Sequence, residues 1–453
     1  MTSTRFAYVA LSALFFLSIS CSAHRAVLLD TSQPLDNGFV QHVIRVSDGA
    51  TLQVYGNPLL FSPGARDAPL LLIVSGSGCG SLFARQEDGG LAAGFPGFFL
   101  RAAGEDYAVA VLEKRGVDLG AVPEVRAGVP VCSLEYHEHA GFESRVSDHL
   151  SFLRLARRHH GRIVVVGHSE GAGIAAGVAA NAPYVDALGY LSAGGPTQAF
   201  DFLLLARRLL REQGADPAGV EAAVDGLFVE FARVFENPGC HESHLFGHPY
   251  SRWYSYFTNP DLDSLLEVSA PIFVGIGSSD MSVPIESADF IAAEFLRRGK
   301  TNLTYRRYAG LDHSFRACDQ GDPDCDPETA NRMGAVVAEF LQWVEDGTGP
   351  VGAAPTLADL LRRADATVVV TDPSVLGDAI ARTPQRRRLN ACRAGDEQRP
   401  AEQSARSVER EQRRRADDHL TPERDGFVQE RDEERRDQCG DEARDARVGA
   451  VCR

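Results

Sequence analysis

Residues 163–176 read Ile163-Val-Val-Val-Gly167-His168-Ser169-Glu170-Gly171-Ala-Gly-Ile-Ala-Ala, and this stretch decides the fold. The β-branched run with no alternating polar residue predicts a strand buried on both faces. The Gly and Ala residues that follow suit a helix pressed close against that strand. Between them lies Gly-x-Ser-x-Gly, and a serine in a tight strand-to-helix turn is pushed out of the carboxyl edge of a sheet. Glycine at 167 and 171 permits the turn, since a Cβ there would meet the neighbouring strand or helix. A serine that merely caps a helix would need neither glycine.

Working outward, Leu70–Val74, Ala108–Leu112, Ile163–Val166, Ala187–Leu191 and Pro271–Ile276 are also apolar on both faces. They read as buried parallel strands, and helical patterns at Glu143–Arg158, Gly171–Ala180, Glu286–Arg298 and Thr329–Glu345 alternate with them. Val40–Val46 and Thr51–Tyr55 flank a Ser-Asp-Gly turn and predict an antiparallel hairpin at the sheet edge. The alternation breaks once, over about 198–268. There the apolar spacing is helical and no strand intervenes, so this segment reads as an inserted helical cap.

A serine hydroxyl is a poor nucleophile near neutral pH and requires a base, which in turn requires a group to orient it. The strand Pro271–Ile276 runs into Gly277-Ser-Ser-Asp280, placing Asp280 at a strand's carboxyl end, where ligands gather in open α/β sheets. The strand Leu303–Tyr308 runs into Ala309-Gly-Leu-Asp312-His313, which delivers His313 to the same edge. His137, His139, His149, His159, His160, His241, His244 and His248 lie in helical or cap contexts. Asp312 caps its own loop rather than replacing Asp280, because adjacent side chains diverge.

The tetrahedral intermediate of acyl transfer needs backbone donors for its oxyanion. The amide of Glu170, next to the serine, supplies one. The glycine-rich loop Ser75-Gly76-Ser77-Gly78-Cys79-Gly80-Ser81 supplies the other, from Ser77 with Gly78 as the alternative. The loop lacks the Gly-Lys-Ser/Thr ending of a phosphate cradle. Cys79 has no base beside it in sequence. This chemistry calls for no cofactor and no metal.

The set Ser-Gly-Ser-Gly at 75–78, Glu113-Lys-Arg-Gly-Val after the fourth strand, Gly-His-Ser-Glu-Gly at 167–171, Asp280 and His313 resembles the secreted bacterial α/β-hydrolases of esterase or peptidase type. The resemblance covers roughly residues 38–346. It implies an α/β fold of the α/β-hydrolase kind, a mainly parallel central sheet with the helical cap. It also implies Ser169 as nucleophile, Asp280 as acid and His313 as base. Ser75 stands where many esterases carry His, and Val117-Asp118 where a small residue and Ser are common.

The chain of 453 residues holds 46 Lys and Arg against 62 Asp and Glu, a formal net charge of −16. An acidic body repels phosphate backbones and anionic lipid surfaces, which argues against nucleic acid as its partner. From Arg386 to Arg453, 17 Arg balance 8 Asp and 9 Glu, with Phe427 the lone aromatic residue. Such a segment buries too little apolar surface to offset ordering entropy and predicts a disordered, charged tail. A solvated tether and the product of a shifted reading frame both fit it. Residues 347–385 have the composition of a linker.

Residues 1–20 carry one charge, Arg5, before an apolar run too short to span a bilayer, which reads as a signal peptide. Ser18-Ile19-Ser20-Cys21 resembles a lipobox with Ser18 where Leu is usual, so a lipid anchor at Cys21 and cleavage after Cys21-Ser22-Ala23 both stay open. Either makes the protein exported, periplasmic or an envelope lipoprotein, with the membrane touched only through that anchor. Cys318 and Cys325 share one polar loop and fit a small disulfide ring in an oxidising compartment. Asp319, Asp322, Asp324 and Asp326 in the same loop lack EF-hand spacing and read as a solvated acidic turn.

The function expected is a serine hydrolase cleaving carboxylic esters or related acyl compounds of small molecules through an acyl-enzyme. A peptidase of aminopeptidase type or a thioesterase uses the same residues and differs in the pocket. A non-enzymatic exported binding protein on this fold would ordinarily have lost one of the three. Trp253, Tyr254, Tyr256 and Phe257 are the expected pocket walls or, equally, cap core. Glu230, Glu236 and Arg252 are nominees for recognising a chain terminus.

Overall fold

A computed structural model describes residues 26–63, 65–126, 129–317 and 330–346. Its centre is a nine-stranded sheet. The strands are β1 (Ala26–Pro34), β2 (Val40–Val46), β3 (Thr51–Gly56), β4 (Leu70–Val74), β5 (Ala108–Leu112), β6 (Ile163–His168), β7 (Ala187–Leu191), β8 (Ile272–Gly277) and β9 (Leu303–Tyr308). Their spatial order is β1-β2-β3-β5-β4-β6-β7-β8-β9. The first three are antiparallel, and everything from β5 to β9 is parallel.

The double-sided apolar runs have a direct cause in the layering. Along β6, Ile163 and Val165 enter one core, while Val164 and Val166 enter the other. Helices α3 (Phe142–Ala156), α4 (Glu170–Asn181) and α9 (Ile285–Arg297) lie over the first core, and α1 (Phe95–Ala103) and α10 (Met333–Glu345) over the second. Each fully buried Val or Leu on these strands contributes roughly 1.5–3 kcal/mol of burial free energy.

Between β7 and β8 lie α5 (Gln198–Glu212), α6 (Pro217–Glu236), α7 (Tyr250–Phe257) and α8 (Asp261–Glu267). Phe231, Val234, Leu245, Trp253 and Phe257 give this insertion its own core. Within it His244–Leu245 and His248–Pro249 form a two-stranded ribbon that the sequence pattern did not indicate.

Three features correct the reading from sequence. The sheet starts at Ala26 instead of residue 38, and β1 covers β2, so the expected hairpin is not at the edge. Asp30, Thr31, Ser32 and Gln33 interrupt the apolar pattern of β1, whose register shifts between Leu29 and Gln33; its pairing with β2 sets its conformation. Helix α1, which the sequence reading did not include, begins in Phe-Pro-Gly, with the proline in its first turn where a missing N–H costs nothing. A further short helix, α2 (Leu134–His139), precedes α3 and is capped by the Ser133 hydroxyl. The expected signal segment, linker and charged tail, and the Cys318–Cys325 loop, lie outside the described residues.

Candidate active site

Ser169 sits between β6 and α4 at φ 57° and ψ −134°, a left-handed backbone that costs a non-glycine residue about 1–3 kcal/mol. The surroundings hold it there. Its amide donates to the Leu191 carbonyl at 2.9 Å, and its carbonyl accepts from Ala172. A Cβ on Gly167 would lie 2.1 Å from the Gly171 carbonyl oxygen, and one on Gly171 would lie 2.3 Å from that of Val74. Both glycines are therefore required by close backbone approach.

Asp280 follows β8 and is wholly buried. One carboxylate oxygen accepts the backbone N–H groups of Ser282 at 2.7 Å and Val283 at 2.8 Å. The other lies 2.8 Å from Nδ1 of His313, in the loop after β9. This pairing fixes the proton on Nδ1 and leaves Nε2 as the basic nitrogen of the neutral ring. His168 supports the loop: its Nε2 donates to the His313 carbonyl at 2.9 Å. Burial, then the neighbouring His313, pushes His168 down to about 4, so it is neutral. Asp312 caps its own loop as expected, accepting from the amides of Ser314 and Arg316.

The glycine-rich loop lies against the serine. A Cβ on Gly76 would stand 3.3 Å from Cβ of Ser169. The Gly76 carbonyl accepts from Lys114 Nζ at 3.1 Å and from Arg145 Nη1 at 3.5 Å, and Arg145 Nη2 donates to the Ser75 carbonyl at 2.7 Å. In a trans peptide the N–H opposes the C=O. The cations therefore fix the direction of the Ser77 N–H, away from themselves. The Glu170 side chain closes the cluster, with Arg145 on one oxygen at 2.7 Å and Arg252 on the other.

These groups are buried, and removing one partner of such a network typically costs about 3–5 kcal/mol. Lys114 is pushed down to about 8, mainly by burial and then by Arg145. The loop is also tied covalently, through a disulfide between Cys79 and Cys132, which removes Cys79 as a nucleophile.

A cavity of about 260 Å³ opens over Ser169. Ser77, Glu170, Asp201, Phe202, Phe246, His248, Arg252, Trp253, Asp261 and Val283 are among its walls. Of the expected aromatic walls, only Trp253 lines it. Tyr256 and Phe257 are buried in hydrophobic clusters instead, and Tyr254 packs against the cap core. Of the three nominees Arg252 faces the cavity, whereas Glu230 forms a surface pair with Arg233 and Glu236 does not line it. A larger hollow of about 910 Å³ lies at the opposite ends of the strands, between Arg66, Arg162 and Glu345, and no Ser, Thr, Cys, Lys or His is among its described lining residues.

Lys114, Arg145, Asp201 and Asp261 were not legible as site residues. The nearest signal was the Glu113-Lys-Arg-Gly motif, which marked the position of Lys114 without a role.

The strand order and the strand-serine-helix turn define the α/β-hydrolase fold, and the chain is a hydrolase on that fold. Within it, the family model described as "Dienelactone hydrolase family" matches residues 250–345. Among solved structures the chain is similar to Est1E from Butyrivibrio proteoclasticus with ferulic acid bound, at 17% identity and a TM-score of 0.40, over 65% of this chain and 96% of that one. It is also similar to the acylaminoacyl peptidase of Pyrococcus horikoshii, at 13% identity and a TM-score of 0.42, over 74% of this chain and 43% of that one. An esterase from Thermogutta terrifontis gives 15% identity and a TM-score of 0.37, over 68% of this chain and 98% of that one. No curated protein matches the sequence. The fold assignment rests on the strand order, not on these likenesses.

Proposed function

We propose that the protein hydrolyses carboxylic esters or related acyl compounds of small molecules, with Ser169 as nucleophile, His313 as base and Asp280 as the group that orients it. The observation that carries this reading is the 2.8 Å contact from His313 Nδ1 to Asp280, at the same sheet edge as a serine held at positive φ. In the reaction His313 Nε2 takes the proton of Ser169 as Oγ attacks the substrate carbonyl carbon. The oxyanion is stabilised by the amides of Ser77 and Glu170. His313 then gives the proton to the departing alkoxide, and water repeats the sequence on the acyl-enzyme, releasing the acid and restoring Ser169.

The Cys79–Cys132 disulfide favours an oxidising compartment. It therefore supports export, with residues 1–20 as the signal, and leaves a lipid anchor at Cys21 and cleavage after Cys21-Ser22-Ala23 as alternatives. Hydrolysis of p-nitrophenyl butanoate tests the activity. The Ser169→Ala and His313→Ala variants lose it by at least about 10³-fold, and full activity in either would end the proposal.

A further inference from the structure

We propose that Asp201, in the first turn of α5, is the anchor for a positively charged group of the substrate, so that the preferred acyl compounds carry an ammonium group. This inference rests on the hydrolase reading of Ser169 and names the class of substrate that its pocket selects.

The observation is an uncompensated carboxylate in the wall of the Ser169 cavity. Asp201 is 7% exposed, and its Oδ1 has no hydrogen-bond partner. The Ser287 hydroxyl beside it is neutral and offsets only part of the cost of burying the charge. The other titratable groups of the wall are accounted for. Glu170 is shared between Arg145 and Arg252. His248 is pushed down to about 3, by burial first and then Arg252, and is neutral.

Asp261 has a partner: the Tyr190 hydroxyl donates to its Oδ2 at 2.7 Å. Burial, and then the nearby Asp201, pushes Asp261 up to about 7. Asp201 is thus the wall carboxylate, among the described residues, that neither pairs with a cation nor accepts a hydrogen bond at Oδ1. Burial, and then the proximity of Asp280, pushes Asp201 up to about 7. A bound cation would reverse that shift, since an opposite charge favours the ionised carboxylate.

The test uses the full chain and paired p-nitrophenyl esters in which a methyl group replaces the ammonium: glycine against propanoate, β-alanine against butanoate, and 6-aminohexanoate against heptanoate. The inductive effect of the ammonium on ester reactivity is common to every enzyme variant. The change in the kcat/KM ratio on substitution therefore isolates Asp201. For at least one pair the ratio falls about ten-fold or more in Asp201→Asn and partly returns in Asp201→Glu. In the unaltered chain, butylammonium inhibits butanoate ester cleavage at lower concentration than butyramide. Ratios unchanged at every length, or equal inhibition by the two, overturn the proposal while leaving the hydrolase reading intact. If the neutral esters are not cleaved and Ser169 takes up no fluorophosphonate, both fall together.

Discussion

The ammonium of Lys114 reaches the carbonyl oxygen of Gly76 at 3.1 Å, and that carbonyl shares its peptide plane with the Ser77 N–H. A buried cation thus orients a backbone donor from behind. Lys114→Met removes the restraint without touching the substrate. The expected result is a fall of about ten-fold in kcat with little change in KM, since an oxyanion donor acts chiefly in the transition state. Lys114 titrates at about 8. The charged donor is present below that pH and lost above it, so wild-type kcat should decline as pH rises through about 8, a limb missing from the Met variant. Coincident pH profiles would contradict the assignment.

Asp280→Asn should leave the fold intact but reverse the preferred proton position on His313. A loss of about 10³-fold or more in kcat is expected. Steady-state kinetics beside a thermal melt separate this from simple unfolding.

The disulfide joins the glycine-rich loop to the segment before α2, across a sequence separation of 53. Removing it with Cys132→Ser should cost about 2–4 kcal/mol, seen as a lower denaturation midpoint. The same variant should show slower ester turnover, because Cys79 directly follows Gly78 in the loop. Unchanged kinetics would mean that the loop is held by Lys114 and Arg145 alone.

The two buried histidines should each lower stability in acid, against the opposite contribution of Asp201 and Asp261, which burial pushes up to about 7. Burial pushes both His149 and His168 down to about 4 from 6.5. Between those values the unfolded chain binds protons at these positions that the folded chain refuses, so the histidines' share of the stability falls as pH drops from 6.5 to 4. Each histidine contributes on the order of 3 kcal/mol to that loss. Urea midpoints measured across the interval, with His168→Gln removing part of the slope, check the effect.

What the sequence disclosed follows from how local each feature is. The turn at Ser169 and the positions of Asp280 and His313 are written into strand-then-loop patterns a few residues long. The network around Glu170 is assembled from residues 114, 145 and 252, brought together only by tertiary packing. Arg145 lies in the helical pattern Glu143–Arg158 and Asp201 in the cap segment, and neither pattern marks a single residue for the site. The pairing of Cys79 with Cys132 depends on which loops meet above the sheet, and spacing carries no information on that. Strand β1 escaped for a related reason, since its conformation is set by its partner strand and not by its own alternation.

The most direct test of the central claim is to treat the protein with a fluorophosphonate and locate the adduct by peptide mass. One equivalent is expected on the peptide bearing Ser169, none in Ser169→Ala, and a much slower reaction in His313→Ala. A folded wild-type chain that takes up no label, or an adduct that persists in Ser169→Ala, would contradict the account.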